Sequence, residues 1–120
     1  MLHLEATGVT IASEPISSLI PRCDVFVASV SATIQWAIAC GKPVINYDVY
    51  RYRYPDYLGV GGIVAMETAA EFRAALERVT GDDRYRDELA ERQRRHAPEW
   101  GVLDGHAGDR LLALFDRLTR

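Results

Sequence analysis

Apolar residues follow two patterns along this chain. Short runs in which almost every residue is apolar or β-branched alternate with longer stretches where apolar residues recur every three or four positions. The first run, Gly8-Val9-Thr10-Ile11-Ala12, reads as a short buried strand, and Ser13-Glu14-Pro15 breaks it. Ile16, Leu19 and Ile20 have helical spacing and predict one short helical turn ending at Pro21. Asp24-Val25-Phe26-Val27-Ala28 is nearly all apolar, as expected of a strand covered on both faces. Ser29 to Thr33 offers N-cap chemistry for a helix whose apolar stripe is Ile34, Ala37 and Ile38. Gly41 is placed to stop that helix, with Pro43 just beyond it. Pro43-Val44-Ile45-Asn46-Tyr47 is the next strand, and a helical connection between two strands makes them a parallel pair.

Asp48 to Tyr57 is polar and aromatic and reads as a loop. A β-prone run from Val60 to Met66 contains Gly61-Gly62. Thr68-Ala69-Ala70-Glu71 has the capping-box pattern, followed by Phe72, Ala75, Leu76 and Val79 at helical spacing. Gly81 closes that helix, and Asp82 or Asp83 caps another that runs to about His96. After a linker at Ala97 to Gly101, Asp104 can cap a last helix over about 104–118, with Ala107, Leu111, Leu114, Phe115 and Leu118 as its buried face. The expected fold is α/β and Rossmann-like: a three-layer parallel sheet of about four strands, helices on both faces, and a helical C-terminus.

Composition narrows this picture without changing it. The 120 residues suit one domain, and 48% hydrophobic with 26% charged residues is the profile of a globular protein. A net charge of -3 gives no overall basic field to attract nucleic acid, so no nucleic-acid partner is expected. The late arginines, Arg84, Arg86, Arg92, Arg94 and Arg95, alternate with Asp83, Asp87, Glu88 and Glu91, the signature of a solvated helix face. Cys23 and Cys40 have neither zinc spacing nor the number for a disulfide framework, so no metal is expected and a reducing cytoplasm fits. No signal peptide and no membrane span is legible.

Ligands of open parallel sheets bind beyond the carboxyl ends of the strands. Two loops leave such ends. In the first, Ser29, Ser31 and Thr33 stand at a helix N-terminus, where free N–H groups and the helix dipole favour an anion. Plain helix capping is the competing reading, and no Walker or GxGxxG motif accompanies the loop. In the second, Tyr47, Tyr50, Tyr52, Tyr54 and Tyr57 interleave with Arg51 and Arg53. These rings can stack on a base or sugar and the arginines can meet a diphosphate, or half the tyrosines simply pack the loop down. No acid–base pair is evident: Asp48 and Asp56 share a loop without assigned roles, Glu14 is a loop carboxylate, and His3, His96 and His106 are scattered.

The order Asp24 to Ala28, Ser29-Val30-Ser31, helix, Gly41-Lys42-Pro43-Val44-Ile45 resembles the C-terminal, donor-binding half of GT-B fold glycosyltransferases. Gly61-Gly62 and the capped helix at Thr68 also look like that fold, while Asp104-Gly105-His106-Ala107-Gly108-Asp109-Arg110 is similar to the start of the last helix in some envelope-polysaccharide and teichoic-acid-type transferases, and Asn46-Tyr47-Asp48 is loosely so. The resemblance covers about residues 8–118. It implies that Ser29, Ser31 and Thr33 face the phosphates of a nucleotide-sugar donor, which is a substrate; no cofactor is implied. It implies donor contacts for Gln35, Tyr47 and Asp48 as well. The family often carries a ribose-binding Glu where this chain has Trp36, and Gln35 is the substitute at hand. The family draws its acceptor site and usual base from a separate N-terminal domain. The chain is therefore expected to be a partial, cytoplasmic domain, peripheral at most to the inner membrane face, with its last helix against that missing domain. A nucleotide-sugar 2-epimerase and a non-catalytic α/β module, such as a phosphorylation receiver using Asp48, are the rival readings.

Overall fold

The computed structural model describes residues 8–120; His3 lies outside them. Three short strands, β1 (Phe26–Ala28), β2 (Val44–Tyr47) and β3 (Ile63–Met66), form one parallel sheet in that order. Phe26, Val27 and Ala28 register with Val44, Ile45 and Asn46, and β2 registers with β3 from Val44–Ile63 to Tyr47–Met66. A helix of four residues, α1 (Ile16–Leu19), precedes the sheet, and α2 (Ile34–Ala39) connects β1 to β2. After β3 come α3 (Ala69–Gly81), α4 (Asp83–His96) and α5 (Ala107–Leu118).

Strand alternation sorts the core into two clusters. Val44 and Ile63 pack with Ile20, Ile34, Ala37, Ile38 and Tyr57 beneath α2. The neighbours Ile45 and Val64 turn the other way, against Val79 of α3 and Leu89 of α4. The α/β class is as expected; the four-strand, three-layer arrangement is not. Residues 8–12 do not pair as a strand: Val9 and Ile11 are about half exposed, so that run gains no burial from joining the sheet. The second face is also covered only over β2 and β3, leaving Val27 of β1 exposed.

The helix boundaries follow from local chemistry. Beyond α2, the Gly41 N–H donates to Ile38 O and the Lys42 N–H to Ala37 O, the paired bonds of a Schellman stop. Gly41 sits at φ 69, the left-handed conformation that this motif requires. Thr68 caps α3, accepting the Glu71 N–H, and Asp82 caps α4, accepting the Tyr85 N–H at 3.0 Å. The arginine-rich α4 is a solvated face laced with ion pairs, among them Arg84–Glu88, Arg86–Asp83 and Arg94–Glu91.

One side chain fastens α4 beneath the amino ends of two strands. Gln93 is fully buried; its Oε1 accepts the Gly62 N–H at 2.8 Å and its Nε2 donates to Lys42 O at 2.9 Å. A Cβ at Gly62 would lie 2.5 Å from Leu89 O, so only glycine allows this approach. The last helix departs from expectation. Its N-cap is His106, while Asp104 accepts the His106 N–H at 2.9 Å and thus organises the preceding turn. The face expected to be buried is bare: Leu111, Leu114, Phe115 and Leu118 are 41–71% exposed. An amphipathic stripe guarantees an apolar face, not a partner for it.

Candidate functional site

The carboxyl edge of the sheet carries three consecutive exits: Ser29 to Thr33 after β1, Asp48 to Tyr57 after β2, and Glu67 after β3. The strand order runs one way without reversal, so these exits form a row along the edge.

The first exit is a strained turn with a specific anchor. Val30 has φ 47, an outlier for a β-branched residue. Its side chain packs on the cluster beneath α2, and its N–H donates to Oδ1 of Asn46 at 3.0 Å. Asn46 is buried in β2, and its Nδ2 reaches Tyr57 O at 3.5 Å, so one amide ties the first two exits together. Ser31 Oγ accepts the Thr33 N–H at 3.2 Å and lies 2.7 Å from Thr33 Oγ1. Ser31 therefore performs the capping task, ahead of Thr33, the formal N-cap. The N–H groups of Ser31 and Ala32 find no acceptor among the described residues. Ser29 is exposed and Ser31 partly so.

The second exit is organised from within. Asp48, 2% exposed, accepts the Tyr52 N–H at 2.9 Å on Oδ1 and the Arg53 N–H at 2.7 Å on Oδ2. Arg51 and Arg53 both adopt left-handed φ, 56 and 54. Both turn to Glu67: Arg53 Nε donates to Glu67 Oε1 at 2.6 Å and its Nη2 to Oε2 at 3.2 Å, while Arg51 Nε lies 3.5 Å away. The Arg53 guanidinium holds the Glu67 carboxyl below the ordinary carboxylate range. The tyrosines divide. Tyr57 is buried; its hydroxyl accepts from Gln35 Nε2 at 3.3 Å, and its ring stacks on Trp100 with centroids 6.0 Å apart. Tyr47 packs on Phe72 at 4.7 Å. Tyr50, Tyr52 and Tyr54 stand exposed in a row.

The six residues singled out from the sequence thus meet different fates. Ser29, Ser31 and Thr33 lie together on the β1 exit, and Gln35 faces the second exit through Tyr57. Tyr47 and Asp48 serve packing and loop geometry. Glu67, which pairs with both loop arginines, does not stand out in the sequence; its place just past a third parallel strand is the signal that could have found it. Asn46 was noted only within a motif, yet it fixes both exits.

Three other candidates, His96, His106 and Glu14, are paired with neighbours. His96 Nε2 accepts from Trp100 Nε1 at 2.9 Å, and its Nδ1 faces Glu99. His106 pairs with Asp109, and Glu14 with Arg22. Burial raises the Cys23 thiol above its ordinary value. Among the described residues, no group of three or more His, Cys, Asp or Glu side chains could hold a metal ion, and no helix is long and apolar enough to cross a membrane. A largely apolar groove of about 320 Å³ opens away from the carboxyl edge, between α1 and α2 with Leu103 at its rim. No family model matches the chain, and no curated protein or solved structure matches it either.

Proposed function

We propose that the chain is the nucleotide-donor-binding part of a cytoplasmic glycosyltransferase, one that transfers a sugar or polyol phosphate to a cell-envelope polysaccharide or other glycan. The observation that carries this reading is the β1 exit: Ser31 and Ala32 N–H groups without an acceptor among the described residues, with Ser29 nearby, held by the Asn46 bond at the start of α2. Such amides suit the oxygens of a diphosphate, and the helix dipole adds to them. Stabilising the departing nucleoside diphosphate is the chemical task left to this part. On this reading the parallel sheet is the Rossmann-like core of the donor half. A second domain belongs to the same reading, supplying the acceptor site and the base, and the bare apolar face of α5 would pack against it.

On this reading the chain alone binds nucleotide weakly and turns nothing over. Titrating UDP, CDP and GDP into the chain and its Ser31→Ala variant tests it. The variant is expected to lose about 1 kcal/mol of binding, one hydrogen bond and roughly fivefold in Kd. Equal affinity in the two proteins would remove the Ser31 hydroxyl from the site but not its N–H, and a parent chain that binds none of the three nucleotides would overturn the reading.

A further inference from the structure

We propose that Tyr50, Tyr52 and Tyr54 form a binding platform for a neutral carbohydrate chain. The ring centroids of Tyr50 and Tyr52 lie 5.8 Å apart, and those of Tyr52 and Tyr54 5.7 Å apart at 15°. The three residues are 73%, 56% and 51% exposed. Tyr52 and Tyr54 form a slipped stack, Tyr50 is tilted 41° from Tyr52, and Tyr54 meets the Tyr57 ring at 85°, which anchors one end of the row on the core and leaves the rest to solvent.

The backbone beneath the strip is built at a cost. Left-handed φ at two non-glycine residues, Arg51 and Arg53, is a conformation that L side chains disfavour. It persists because the chain is over-determined there: Asp48 holds the Tyr52 and Arg53 N–H groups, and Glu67 holds both guanidinium groups. The arrangement buries none of the three rings. Strain maintained for an exposed, pre-organised aromatic array points to a ligand rather than to folding.

Charge and shape select the ligand class. Within 48–57, Asp48 and Asp56 balance Arg51 and Arg53, and Glu67 adds a negative charge beside them. A nucleic-acid strand needs an electropositive track along its backbone, and this strip has none to offer. Proline-rich peptides seat in slots between aromatic rings, and the near-parallel Tyr52–Tyr54 pair leaves no slot. A pyranose chain needs what is present: uncharged ring faces to meet its C–H faces, and phenol, guanidinium and carboxylate edges for its hydroxyls. The platform does not rest on the nucleotide reading of the β1 exit, and failure of one leaves the other standing.

Fluorescence anisotropy of labelled cellohexaose, laminarihexaose, maltohexaose, (dT)10 and decaproline with the full chain tests the proposal. At least one hexasaccharide should bind, Tyr52→Ala should weaken it about tenfold or more, and Tyr52→Phe should stay within about threefold because the ring face remains. Thermal midpoints of the variants should match the parent, since no core residue changes. The proposal is overturned if no hexasaccharide binds, if a Tyr50→Ala/Tyr52→Ala/Tyr54→Ala protein binds as the parent does, or if (dT)10 or decaproline binds more tightly than every hexasaccharide.

Discussion

Asn46 illustrates how one buried amide can define an edge. It accepts the N–H of Val30, a residue in a conformation that valine resists, and reaches across to Tyr57 O. Replacing it with alanine leaves a partly buried N–H unsatisfied and frees the strained turn. Asn46→Ala is expected to destabilise the chain by about 1–3 kcal/mol, read as a lower urea midpoint with an unchanged slope. An unchanged midpoint would mean that the turn at Val30 does not depend on this bond. Glu67 acts at the same scale through charge. Its folded-state carboxyl is depressed by Arg53, so its contribution is complete above the ordinary carboxylate value of about 4.3 and fades as pH falls through the lower folded value. Following the Glu67 carboxyl carbon by NMR should show a midpoint below that ordinary value, moving up towards it in Arg53→Ala. A midpoint already at the ordinary value in the parent would contradict the pairing.

Among the elements, α4 owes its place to Gln93 as much as to its apolar residues. Gln93→Leu keeps the volume but strips partners from the Gly62 N–H and Lys42 O at the amino edge. A loss of about 2–4 kcal/mol in chemical denaturation is expected, larger than for an exposed residue of α4 such as Glu88; a loss under about 0.5 kcal/mol, the usual surface range, would show that water replaces the side chain. This bond was invisible in the sequence, where Gln93 lies inside an arginine-rich run that reads as solvated. What was legible were the features governed by neighbours in the chain: the apolar runs of β1, β2 and β3, the Gly41 stop, and the caps at Thr68 and Asp82. Features governed by distant neighbours were not. Val9 and Ile11 have the composition of a strand but do not pair with either open edge of the sheet, and α5 has a core-like stripe without a core against it.

At the scale of the molecule, the candidate site groups lie along the carboxyl edge of the sheet, and α4 is fastened at the amino edge. The carboxyl edge holds the amides of Ser31 and Ala32, the Asp48–Glu67 frame and the exposed tyrosines. The amino edge holds Gln93 and the close approach at Gly62. The Ser-x-Ser turn was readable as a candidate site because strand, hydroxyls and helix stripe follow one another in the chain. The two-sided frame around the tyrosines was not, since Glu67 joins Arg53 only after β3 is laid beside β2. The apolar face of α5 and the groove beside α2 remain open surfaces of this arrangement. The most direct test of the donor-site reading is an amide chemical-shift titration of the folded chain with UDP, CDP and GDP. Saturable shifts centred on Ser29 to Thr33, spreading to Gln35, are the predicted result; amides there that stay unmoved at saturating nucleotide, with the rest of the spectrum folded, would contradict it.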